Sequence, residues 1–213
     1  MRKKLLVIAM AIALLLTVAG SLMADDFAPP SWRGLSGSTW QQWEFSTGQA
    51  LGILPDHGYN PYGNPTADVT PAPSKVWYEE SFGRTGVWPL SGLIDATIPN
   101  QDVQNPYKDI WIQLTWHRTD CGDTPTVWET ISHQMAYLES EVLLADGWYH
   151  TTYSIRLVPN PALEIIRVQN DILVDELVID TRCVPVPEPS GIAVMLAGLA
   201  SLGGFARLRR KSR

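Results

Sequence analysis

The chain is poor in the features that mark most enzymes. It has only two cysteines in 213 residues, Cys121 and Cys183, without zinc spacing. No Gly-x-x-x-x-Gly-Lys-Ser/Thr loop, Gly-x-Gly-x-x-Gly turn, His-Glu-x-x-His pair or Gly-x-Ser-x-Gly elbow occurs. The four histidines, His57, His117, His133 and His150, are scattered. Glu79 and Glu80 are adjacent, so on a strand they point to opposite faces and make a poor glycosidase pair. Positive charge is also scarce. Between residues 25 and 184 eight basic residues stand against 21 acidic ones, a net charge near −13. Such a body repels nucleic acid and anionic membranes. Helical periodicity is missing too, except for an ambiguous stretch at 134–144.

What the chain does have lies first at its ends. Arg2-Lys3-Lys4 precedes an apolar run over residues 5–19, then small residues, then Asp25-Asp26. This reads as a secretory signal peptide over residues 1–24, cut after Ala24 or after Ser21. At the other end, Pro187-Glu188-Pro189 leads into 17 uncharged residues, 190–206, and then a basic cluster: Arg207, Arg209, Arg210, Lys211 and Arg213. A helix of 17 residues reaches about 25 Å, just short of a ~30 Å hydrocarbon core. The basic residues would stop it on the cytoplasmic side.

Residues 185–213 resemble the PEP-CTERM sorting signal: a Pro-Glu-Pro motif, a single transmembrane helix and a basic cluster, in that order. The resemblance implies an exported protein of a Gram-negative bacterium. It further implies passage through the Sec translocon and signal peptidase, an inner-membrane-tethered precursor, and processing by an exosortase. The final location would be the cell surface, outer membrane or extracellular matrix, in a bacterium that makes exopolysaccharide. A plain C-terminal membrane anchor is the alternative.

The body, residues 25–184, is one domain by length. Strand signals separated by Pro, Gly, Asn and Asp predict strands near 38–46, 75–80, 91–98, 109–117, 127–135, 147–158, 163–168 and 171–181. Eight such strands suggest an all-β, antiparallel two-sheet sandwich of jelly-roll type. Residues 51–73 hold five prolines and read as a long surface loop, either functional or a crossover.

All nine tryptophans fall in the body. Alternation puts Ile110, Ile112, Leu114 and Trp116 on one face of a strand and Trp111, Gln113, Thr115 and His117 on the other. Residues 148–156 repeat this, with Trp148, His150 and Arg156 on the polar side. Near 40–45, Trp43 and Phe45 point inward and Trp40, Gln42 and Glu44 outward. Were these strands in one sheet, Trp40, Trp111, Gln113, His117, Trp148, His150 and Arg156 would line an aromatic, polar groove fit for a carbohydrate such as exopolysaccharide. The alternative is an ordinary half-solvated sheet.

Cys121 and Cys183 are a plausible disulfide in an exported protein, with two free thiols the alternative. The string Ile172 to Asp180 resembles the closing strand of galactose-binding-like jelly rolls. That resemblance makes Asp175 a candidate Ca2+ ligand, or else an acid bonded to nearby backbone. No other cofactor is expected. The sequence thus favours an exported, non-catalytic structural or adhesive protein. A carbohydrate-binding module is the alternative, and a glycan-active enzyme a remote one.

Overall fold

A computed structural model describes residues 26–184, apart from 72, 121 and 123. The signal peptide and the sorting tail lie outside the described residues. The described chain is all-β, with two antiparallel sheets packed face to face. The large sheet contains β1 (Ser38–Trp43), β2 (His57–Tyr59), β7 (Tyr107–Arg118), β10 (Tyr137–Leu143), β11 (Tyr149–Leu157) and β13 (Ile172–Val184), in the order β10-β11-β7-β13-β1-β2. A hairpin of β4 (Tyr78–Ser81) and β5 (Arg84–Leu90) joins it through β13. The small sheet runs β3 (Thr66–Thr70), β6 (Leu93–Pro99), β12 (Leu163–Gln169), β8 (Thr126–Glu129), β9 (Gln134–Met135).

Alternation explains the core. Ile110, Ile112, Leu114 and Trp116 on β7 and Ile155 and Leu157 on β11 face inward, against Ile94, Ala96 and Ile98 on β6 and Ile166 and Val168 on β12. Trp43 and Phe45 are buried with them, Trp43 by its parity on β1 and Phe45 just beyond the strand in a left-handed turn of the backbone. Each strand thereby turns a period-2 pattern into one dry face.

Three readings need correction. Residues 51–73 are not a single loop: they contain β2 and β3, and Ala67 and Val69 of β3 enter the core opposite β6. The prolines bracket these strands and so hid them. Residues 134–144 are strand, not helix, and β10 is the exposed outer edge of the large sheet. Its polar and apolar residues both face solvent, which blurs the period. The expected strand 127–135 is two short strands, β8 and β9, paired to each other across a turn.

The alternation of β13 is broken. Its pairing with β7 shifts between Val174 and Glu176, so Asp175 is the extra residue of a β-bulge. Ile172 and Val174 face the core before it, and Leu177 and Ile179 after it. Unbroken alternation would instead put Leu173 on the face of Leu177 and Ile179. Leu173 packs in a separate small cluster with Val87 and Trp148.

Candidate functional site

The strands with polar faces do share one sheet. β13 lies between β1 and β7, and β11 lies beyond β7. Asp180 stands opposite both Trp40 and Trp111; Gln113 stands opposite both Val178 and Thr152. The outer face of the large sheet therefore brings together Trp40, Trp111, Gln113 and His150, as a groove would require.

That face is not open. Residues 26–33, which carry no strand pattern, lie across it as a strap. The Ala28 backbone N–H donates to Gln113 Oε1 at 2.7 Å, and Gln113 Nε2 donates to Asp26 Oδ1 at 2.6 Å. Trp111 Nε1 donates to the Ala28 carbonyl at 2.9 Å. The Phe27 ring meets His150 edge-on, centroids 5.0 Å apart. Gln113 and His150 are consequently buried, at 1% and 4% exposure, rather than solvent-facing. Two prolines, Pro29 and Pro30, stiffen the strap and remove N–H groups that the side-chain-covered face would have to satisfy.

Arg33 fastens the strap. Its guanidinium pairs with Asp26 and takes both oxygens of Asp180, at 2.5 and 2.7 Å, while lying 5.1 Å over the Trp40 ring. Burial acts against the Arg33 charge, but the two carboxylates outweigh it and raise its pKa. Burial pushes Asp180 up to about 6, against the pull of Arg33. Glu176, two steps along the same face, goes up to about 8 through burial, although Gln42 Nε2 donates to it at 2.5 Å. Burial also lowers His150. Sequence reasoning missed Asp26, Phe27, Arg33, Glu176 and Asp180. The first three carry no periodic signal, and the last two, on a polar face, are buried only because the strap covers it.

The other end of the face is closed by the turn between β4 and β5. Trp148 is fully buried, not solvent-side, at 0% exposure. Its Nε1 donates to the Phe82 carbonyl at 3.1 Å, and Phe82 stacks on His117 at 4.4 Å. Arg84 from the same hairpin lies over the Trp148 ring and binds Asp175 at 2.6 Å and Asp146 at 2.8 Å. A strand face taken as solvent-exposed is here a surface under a second layer. Asp175 thus has a guanidinium partner; burial still holds its pKa above the usual value. Among the described residues no group of three or more His, Cys, Asp and Glu is placed to hold a metal ion. Of the proposed groove residues Arg156 alone is exposed, and Asp109 Oδ1 accepts from its Nε at 2.7 Å.

The expected disulfide is not formed. Cys183 is a buried free thiol. Its Cα partner across the sheet is Lys108, at the start of β7, whereas Arg118 ends β7 opposite Ile172. Ten residues of strand separate those ends, roughly 33 Å at ~3.3 Å per residue. Cys121 itself lies outside the described residues.

The chain matches no protein-family profile, no curated protein and no solved structure.

Proposed function

We propose that the chain is an exported, exosortase-sorted envelope or matrix protein whose jelly-roll-type body serves structure or adhesion rather than catalysis. What supports a non-catalytic body is the occupied outer face. The outer face of the large sheet, where strands gather aromatic and hydrogen-bonding side chains, is filled by the chain's own residues 26–33 and by the turn around Phe82. Groups that would grip a sugar already bond to the protein, and a carbohydrate would have to displace Phe27 and the Arg33 pairs first. The strand order β10-β11-β7-β13-β1-β2 against β3-β6-β12-β8-β9 is consistent with the jelly-roll reading.

The sorting half of the proposal rests on Pro187, Glu188 and Pro189, with the apolar run and Arg207, Arg209, Arg210, Lys211 and Arg213 behind them. Proline fixes φ and removes donors, so the motif is a stiff, extended handle for a sorting enzyme. Replacing Pro187-Glu188-Pro189 by three alanines in an exosortase-bearing host tests it. The expected result is a full-length, membrane-retained form. Processing and release as in the native chain would make the tail a simple anchor. A glycan array probed with the native protein tests the body: no binding is expected, and saturable binding to one polysaccharide would favour the carbohydrate-binding reading.

A further inference from the structure

One end of the core is polar. Lys108 and Glu164 sit on the inward faces of β7 and β12, where the alternation through Ile110 and Ile166 calls for apolar side chains. Both are fully buried. Lys108 is one of only two lysines between residues 25 and 184. Its Nζ lies 2.5 Å from Glu164 Oε1 and has no other hydrogen-bond partner among the described residues. A buried ion pair with so little support costs more desolvation than it regains.

The other carboxylate oxygen is also engaged. Asn100, directly after β6, donates from Nδ2 to Glu164 Oε2 at 3.4 Å and to the Pro161 carbonyl at 2.6 Å. Its carbonyl Oδ1 receives two donors, the Cys183 thiol at 3.1 Å and the Gln101 backbone N–H at 3.2 Å. One dry pocket therefore holds an amine, a carboxamide and a carboxyl group that touches both. The two donors on Oδ1 occupy the place of an oxyanion hole.

We propose that Lys108 and Asn100 react to form an intramolecular isopeptide bond, with Glu164 carrying the protons. The ammonium first gives a proton to Glu164. The neutral Nζ attacks Asn100 Cγ, and the negative charge that develops on Oδ1 is met by the Cys183 thiol and the Gln101 N–H. Glu164 delivers its proton to Nδ2 and takes one from the attacking nitrogen. The Cγ–Nδ2 bond breaks and ammonia leaves. The starting ammonium, carboxylate and carboxamide become a secondary amide, a carboxylic acid and ammonia, with no oxidant or cofactor. Burial raises the Glu164 carboxyl against the pull of Lys108, which suits a proton carrier. Burial likewise raises the Cys183 thiol, which keeps it a donor rather than a competing nucleophile. The reaction removes a buried ion pair, so the environment that disfavours the charges favours the product. It would also tie β6 of the small sheet to β7 of the large one, where no disulfide does so.

Peptide mapping of the full-length folded protein decides this. The expected map shows residues 100 and 108 joined, with one ammonia lost. Trypsin should fail to cut after Lys108, and cleavage before Asp102 should leave the two halves linked. A tryptic peptide ending at an unmodified Lys108, at its full sequence mass, would overturn the proposal. Lys108→Met should restore the intact Asn100 amide; ammonia loss that persists at Asn100 would mean a succinimide instead and would also refute the bond. Glu164→Gln should fold and remain unlinked, and a cross-link in that variant would remove Glu164 from the mechanism.

Discussion

Replacing Arg33 by alanine isolates the fastening of the strap. The native guanidinium lies at 2.5 and 2.7 Å from the two oxygens of Asp180, whose side chain has no solvent contact. Removing one partner of a buried pair costs about 3–5 kcal/mol, because the other charge is left uncompensated. Arg33 keeps some solvent contact and Asp180 can take up a proton, so the low end, about 3 kcal/mol, is expected near pH 8. The cost should depend on pH. Asp180 has its folded pKa raised to about 6 with Arg33 present, and loss of Arg33 must raise it further. A raised carboxylate binds more protons folded than unfolded, so its contribution to stability is retained at low pH and lost as pH rises through the folded value. At pH 5 Asp180 is neutral in the variant, and the penalty should shrink to about 1 kcal/mol for the lost contact with Trp40. Urea unfolding at both pH values measures the difference. Adding Asp180→Asn should recover most of the loss at pH 8. A cost that is equal at pH 5 and pH 8, or no recovery in the double variant, would refute the ion-pair account of the strap.

Other consequences follow from the same geometry. With Glu176 raised to about 8, raising the pH from about 7 to 9 should remove about 1 kcal/mol of stability, a drop in Tm of a few degrees that Glu176→Gln abolishes. This window lies above the ordinary histidine range, so the lowered His150 does not oppose the effect. Trp116→Ala and Trp148→Ala should each cost roughly 3–5 kcal/mol in denaturant titrations, since both rings are fully buried, and Trp111→Ala, half-buried under the strap, about 1–2 kcal/mol. Gly92→Ala should disrupt the small sheet, because its Cβ would fall 1.8 Å from the Thr70 carbonyl oxygen; a variant with native circular dichroism and an unchanged melt would contradict the β3–β6 approach.

Local pattern carried part of this structure. The inward set on β7, Ile110 to Trp116, and the inward placing of Trp43 on β1 follow from alternation alone, because a strand with one dry face writes its facing into every second residue. What alternation leaves open is whether the other face meets water. On β11 it assigns Trp148 and His150 to the polar side, yet Phe82 and Phe27 cover them from segments 66 and 123 residues away in sequence. The same blindness applies to Cys183. Its chemistry suggests a bridge, but it stands as a buried free thiol whose register opposite Lys108 sets it among the polar groups at the start of β7.

The bulge at Asp175 is where local and non-local information meet. One extra residue changes which residues of β13 face the core, so Glu176 and Asp180 both point outward beneath the strap. Unbroken alternation from Ile172 and Val174 would have turned Glu176 and Asp180 into the core. The bulge instead concentrates carboxylates on the outer face: Asp175 meets Arg84, Asp180 meets Arg33, and Glu176 meets Gln42. In a body with eight basic residues against 21 acids, two of the few arginines are committed to holding a covering segment onto this face. That use of scarce positive charge is the physical reason to regard the covered face as part of the architecture, with the strap as its outer layer.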